Sequence, residues 1–457
     1  MRMLSEARMT SDNDTRPQAR EPHRTTTRQE RTAVVLACAC NFLLLSSYYI
    51  LRPVRDTVAT VVGVGSLQKL FTATFICTVA AAALYGAVAS RIRLNRLLPG
   101  VFWFWLVNVA VFTVLFRLAP ESHTLAVSYY VWFSVVNLFM VSVFWSLMVD
   151  VFSADQATRW FALIAAGGAL GAIAGPLLTR VLVGRIGLGG LMTVACVGFA
   201  LTIVPVQALM RAKERLRGAS ADAQHSTLEH SLRGRAWEGF GALLKSRYFL
   251  NQAAFMLLMT WVNTVAYFCQ TDFVSRAYAS IADRAQAIAD IDLLVNIGTA
   301  AILLLGLGRF MRRFGVTASL VLNPVLMVLA FLAVAVSPTL LMIQALQVVR
   351  RVAQYAVARP SREICFTIVD QTNRYKAKSV IDTVVYRFGD VSSAWLQTGM
   401  MSWGYGTVGA LALGVVASVV WAGVAGSLGR RYSAMRSRAT AAAGLPTIAV
   451  GRVDIAR

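Results

Sequence analysis

"DQATRW" at 155–160 is answered by "DQTNRY" at 370–375, 215 residues further along the chain. Each hexapeptide follows the fourth in a set of six long apolar segments. "RIRLNR" at 91–96 and "RFMRRF" at 309–314 lie 218 residues apart, each after the second segment of its set, and Tyr49 lines up with Tyr267 at that same offset. Three correspondences at nearly one spacing indicate a duplicated six-helix unit. An apolar segment needs about 17–25 residues to cross a bilayer. Twelve such segments are placed near 33–62, 67–89, 97–118, 124–149, 160–182, 186–210, 247–275, 290–308, 317–336, 339–359, 379–403 and 405–428. The expected fold class is an all-α membrane protein of twelve transmembrane helices in two pseudo-symmetric six-helix halves.

Composition agrees. Hydrophobic residues make up 57% of the chain and charged residues 14%, with a mean hydropathy of +0.60. A soluble domain needs far more polar surface. The net charge of +22 does not point to nucleic acid, because the basic residues sit in loops and tails between apolar segments. A tail over 1–31, halves over 32–210 and 247–428, a polar linker over 211–246 and a second tail over 429–457 are expected. The first tail carries seven arginines and five acidic residues, and no small-residue cleavage site follows the first apolar run, so the start reads as a cytoplasmic tail and a retained transmembrane helix rather than a signal peptide. Loops rich in arginine and lysine alternate with poor ones, and 272–292 reads as a net acidic loop. The positive-inside rule then puts both termini in the cytoplasm of a bacterial inner membrane. Six cysteines without metal spacing are expected to be free thiols. This layout resembles that of major-facilitator transporters, which bind substrates at midplane between two halves.

Charge inside a span is costly, about 2.5–3.5 kcal/mol per residue on insertion scales, so it faces a cavity or a partner. The tenth segment carries Gln344, Gln347, Arg351, Gln354 and Tyr355 on one helical face, with Arg350 at its edge. Arg350 and Arg351 either bind a ligand or pair with an acid on a neighbouring helix. In the eleventh segment Asp382, Tyr386, Asp390, Ser393 and Gln397 share a face opposite Val384, Val385, Phe388, Val391, Trp395 and Leu396. Arg387 is three residues from Asp390 and within pairing reach. Lys376 and Lys378 stand at the mouth of that helix. In the first segment Asn41, Tyr48, Arg52 and Asp56 share a face if the helix continues past Pro53; otherwise Arg52 and Arg55 are interfacial. The seventh segment carries Thr260, Asn263, Tyr267 and Gln270, which core hydrogen bonding explains as well as a site does. Guanidinium forks suit phosphate and carboxylate, so a multivalent anionic solute is the expected ligand, with Asp56, Asp382 and Asp390 balancing charge or carrying protons.

No phosphate-binding Gly-x-x-x-x-Gly-Lys-Ser/Thr loop occurs, and the four histidines lie in tails and loops. No enzymatic activity, metal or cofactor is expected, nor a nucleic-acid partner; the chain is expected to act as a monomer in the bilayer.

"LRPVRDTVAT" at 51–60, "DQATRWFALIAAGGALGAIAG" at 155–175 and "KAKSVIDTVVYRFGD" at 376–390 resemble segments of the ATP/ADP translocases of plastids and intracellular bacteria. Lys69 falls where that family tends to have a lysine. The resemblance implies nucleotide exchange, with phosphates contacted by Arg52, Arg55, Lys376, Lys378 and Arg387 beside Asp56 and Asp382. Arg55 stands where the family has lysine, which keeps the charge and changes the geometry. A secondary carrier of a phosphorylated or carboxylated anion is the leading expectation. A proton-coupled organic-anion carrier and a non-transporting membrane scaffold or sensor are the alternatives.

Overall fold

Ser280-Ile281-Ala282-Asp283 begins a helix inside the stretch expected to be a loop. The Ser280 hydroxyl accepts from the Ala282 amide, and Asp283 sits in the first turn where the helix dipole favours an acid. The eighth span therefore runs Ile281–Leu305, and Asp290 and Asp292 lie within it. In a computed structural model, residues 28–89, 94–119, 122–217, 241, 243–369 and 377–442 are described. Lys376, most of the linker, the "DQTNRY" repeat element and much of both tails lie outside the described residues.

The first four spans are Arg28–Val62, Leu67–Ala89, Leu94–Leu118 and His123–Val151. The fifth and sixth form one run, Ala154–Arg217, broken at Gly187, where φ is 62° and ψ −174°. Only glycine adopts that conformation without strain, so Gly187 separates the two crossings. The seventh span is Arg247–Ala277. A short helix over 307–314 joins the ninth span through Gly315, φ 77°, within the run Leu307–Val336. The tenth span is segmented, with Leu340–Ala353, a π turn at Gln354–Ala358 and then Arg359–Cys365. The eleventh begins at 377, passes through a second π turn at Ile381–Val385 and continues as Tyr386–Ser402. The twelfth is Gly406–Ala442.

Among the described residues nine helices are long and apolar enough to cross a membrane, and one of the nine holds the fifth and sixth spans together. The tenth and eleventh, cut by π turns and rich in charge, complete twelve. No strand occurs among the described residues.

Small residues set the closest helix pairs. A β-carbon on Gly167 would lie 2.7 Å from the Cys38 carbonyl oxygen, and one on Gly175 would lie 2.6 Å from that of Ser46. The first and fifth spans thus meet backbone to backbone, as small residues at four-residue spacing allow in membranes. The second half repeats the contact: Gly389 of the eleventh span presses on Thr260 of the seventh. Gly389 and Thr260 each lie 214 residues beyond Gly175 and Ser46, so the duplication is present in the packing as well as in the sequence.

The halves join at the middle and at the end of the bundle away from the N-terminus. Ala59, Leu67, Leu70 and Tyr130 of the first half share an apolar cluster with Phe268 and Ala394 of the second. Arg284 donates to the Tyr278 and Ser275 carbonyls and, across the seam, to the Thr60 hydroxyl at 3.2 Å. Trp395 donates to the Thr72 hydroxyl at 3.0 Å, and Asn296 to the Ala172 carbonyl at 2.6 Å. Toward the N-terminal end, the ion pairs Arg159–Glu30 and Arg362–Asp382 each stay within one half.

Candidate functional site

The first span continues helically past Pro53 to Val62, which places Arg52, Arg55 and Asp56 inside the bundle rather than at a rim. Pro53 has no amide to offer the Tyr49 carbonyl one turn back. Arg52 lies over the Tyr49 ring at 5.7 Å, and its Nε is 3.7 Å from Oδ2 of Asp292. Arg351 of the tenth span pairs with Oδ1 of the same carboxylate at 2.5 Å. Asp292 is fully buried, and Arg351 is only 4% exposed. One carboxylate therefore serves a guanidinium from each half. Pairing with an acid on a neighbouring helix, one of the two expectations for Arg351, is what the geometry contains.

Arg350 differs. The residue is 8% exposed, and its guanidinium donates to Gln347 Oε1 at 2.7 and 3.0 Å, to Asn263 Oδ1 at 2.5 Å and to Gln354 Oε1 at 3.4 Å. Gln347 in turn donates to the Ala266 carbonyl at 2.9 Å, which fixes its amide with the oxygen toward Arg350. Among the described residues no carboxylate pairs with Arg350. A buried charge held only by neutral amides lacks the counter-ion that normally offsets its desolvation. Tyr355, on the π turn, faces the guanidinium of Arg52. A π turn adds one residue to the helical repeat and re-aims side chains, and such turns recur at functional sites.

Two further clusters flank these arginines. Arg55 donates to Asp56 Oδ1 at 2.8 Å and lies over the rings of Tyr130 and Phe133 at 5.4 and 5.9 Å. Asp56 also accepts from the Tyr267 hydroxyl of the other half at 3.1 Å. On the eleventh span Arg387 is 3.6 Å from Asp390, which accepts from Thr264 at 3.3 Å. Arg387 also donates across the seam to the Ser134 carbonyl at 3.4 Å and lies over the Tyr386 ring at 5.7 Å. The apolar arc expected opposite these groups faces outward: Phe388 is 55% and Trp395 51% exposed.

Asp382 and Lys378 belong to a separate group nearer the N-terminal end of the bundle. Asp382 accepts from Arg362 at 2.7 Å, Lys378 pairs with Glu363, and both cations lie over the Phe366 ring. Gln344, placed on the tenth-span stripe, instead lines a groove at the seam with Arg180 and Asp290.

The central group thus contains Arg52, Arg55, Arg350, Arg351 and Arg387 facing Asp56, Asp292 and Asp390. Five guanidinium groups against three carboxylates leave two positive charges in excess. Asp292, Asn263, Gln347 and Tyr267 hold this arrangement together. The Ser-x-x-Asp start at Ser280 was the signal that Asp292 lies in a span; the polar stripe of the seventh span was visible and faces the site.

No protein-family model and no curated protein matches the chain. Solved structures do. A bacterial homologue of the human lysosomal transporter Spinster, inward-facing and unoccupied, superposes with a TM-score of 0.55 at 16% identity, covering 90% of this chain and 98% of that one. The nucleoside transporter NupG, in a single-residue mutant form, gives 0.55 at 14% identity over 88% and 99% of the two chains. A POT-family transporter in complex with 5-aminolevulinic acid gives 0.60 at 11% identity over 88% and 96%. The chain has the major-facilitator fold, a multi-pass membrane architecture.

Proposed function

We propose that the protein is a secondary transporter that carries an anionic, phosphorylated solute by alternating access of its two halves. The observation that carries this is Arg350, a buried guanidinium oriented by Gln347, Asn263 and Gln354 without a carboxylate partner. A buried cation without a counter-ion carries a desolvation cost that a bound anion offsets. The excess of two positive charges favours a solute of about two negative charges, and guanidinium forks favour phosphate geometry. Seam contacts concentrated away from the termini support a state open toward the terminal side, which is cytoplasmic under the positive-inside rule.

Nucleotide exchange of the ATP/ADP type is the finer form of this proposal, and it rests on the motif resemblance around Arg52, Arg55 and Arg387. Purified protein in liposomes loaded with nucleotide should take up labelled ADP, ATP or phosphate only when counter-substrate is inside. Absence of uptake of every phosphorylated compound by correctly inserted protein refutes the proposal. Uptake driven by an imposed pH gradient without internal substrate would instead favour proton coupling. Asp56, bridging Arg55 and Tyr267 across the halves, is the group placed to serve it.

A further inference from the structure

The connection between the eighth and ninth spans builds a second basic site, on the outside of the bundle. The helix over 307–314 ends at Gly315, whose positive φ turns the chain sharply into the ninth span. Between this helix and the spans lies a groove of about 400 Å³, walled by Ile302, Phe310, Leu322 and Val357 and flanked by Arg309 and Arg313. Phe310 and Phe314 pack at 4.9 Å between ring centroids, and Arg313 lies over the Phe314 ring at 5.5 Å. Arg309 is tethered by a hydrogen bond to the Leu305 carbonyl at 2.6 Å. No carboxylate lines the groove, and among the described residues Arg309, Arg312 and Arg313 form no ion pair. The adjoining face is apolar and exposed, with Leu304 at 83% and Leu305 at 67%.

We infer that this groove binds an anionic phospholipid from the surrounding leaflet. Its phosphodiester sits between Arg309 and Arg313, and one acyl chain lies along Ile302, Leu322 and Val357. A soluble anion would leave the apolar wall uncovered, and a zwitterionic lipid would leave the arginines unbalanced. Basic pockets between spans on the cytoplasmic side are suited to anionic headgroups. The groove shares an element with the central site: one π turn presents Gln354 to Arg350 and Val357 to the groove. The binding itself does not depend on what the central site carries.

The test is thermal unfolding of the full-length protein in a zwitterionic detergent, titrated with dioctanoyl phosphatidylglycerol, dioctanoyl phosphatidylcholine or inorganic phosphate. Phosphatidylglycerol should raise the midpoint and phosphatidylcholine should not, while stabilisation by inorganic phosphate, which arises at the central site, should be the same with and without Arg309 and Arg313. Two surface arginines account for roughly thirtyfold in affinity for an anionic lipid. Arg309→Gln/Arg313→Gln should therefore raise the half-saturating phosphatidylglycerol concentration by about that factor. Leu322→Trp, which fills the groove and keeps both arginines, should also abolish the response, and it carries the test if the double variant does not fold. An equal response to phosphatidylcholine, a response to inorganic phosphate that falls in the double variant as the lipid response does, or unchanged half-saturation in either variant overturns the inference.

Discussion

Asp292→Asn tests whether the central arginines are there for a ligand or only for each other. In the native protein Arg351 sits 2.5 Å and Arg52 3.7 Å from the Asp292 carboxylate, which is fully buried. At an effective dielectric of about 20, one such contact near 4 Å amounts to about 4 kcal/mol of attraction. Removing one member of a buried pair typically costs about 3–5 kcal/mol, because the remaining charge is left without compensation. Asp292→Asn should lose about that much stability, and Arg351→Gln a similar amount by exposing Asp292 to the weaker Arg52 contact. The double variant should be less destabilised than the sum of the two, with a coupling of about 2 kcal/mol or more. These quantities are read from denaturant unfolding curves in mixed micelles.

The distinguishing measurement adds phosphate or ADP. In Asp292→Asn the site carries one more uncompensated positive charge, so an anion should bind tighter than in the native protein. Saturation at about a hundred times the dissociation constant returns about 2.7 kcal/mol. Additive single variants would refute the pairing. A variant whose lost stability no anion restores would refute the ligand role and leave Asp292 as a clasp between halves.

Arg350→Gln should abolish anion-dependent stabilisation in the same assay while changing the unliganded protein by less than about 1 kcal/mol, since no carboxylate is stranded. Phosphate and other divalent anions should stabilise the native protein more than chloride or acetate at equal ionic strength, matching the two excess positive charges; equal effects would contradict that match. Arg284→Ala removes the hydrogen bond that ties the seventh-to-eighth turn to Thr60, and loss of such a charged bond, about 2 kcal/mol, shifts a two-state equilibrium roughly thirtyfold. Thr57→Cys, at a position buried to 0% exposure, should then react faster with an impermeant thiol reagent in a background without native cysteines. Gly389→Leu should prevent close packing of the eleventh span on the seventh and lower the thermal midpoint sharply, while Gly399→Leu, with open space around it, should be tolerated.

The seventh span illustrates how much of the site could be read in advance. Its polar stripe was plain, but Asn263 and Tyr267 look like ordinary core donors until Arg350 and Asp56 are brought against them. Lys378 and Asp382 carried the same kind of signal as Arg387 and Asp390 and lie in a different cluster. A rotation about a helix axis fixes a face and not a depth, and the π turn at Ile381–Val385 shifts the register between the two pairs.

The sequence by itself determined the twelve apolar spans, the duplication and the polar faces of the first, tenth and eleventh helices. Those features depend on local composition and on residues a few positions apart, which hydropathy and helical periodicity measure directly. The tertiary structure alone decided that Asp292 is the buried partner of Arg351 and Arg52. Hydropathy charges each carboxylate its full cost of leaving water. That cost is offset here by Arg351 and Arg52, residues far away in the chain that only folding brings within 4 Å. The same folding left Arg350 buried among amides, and that absence of a partner could be seen only after every neighbour was in place.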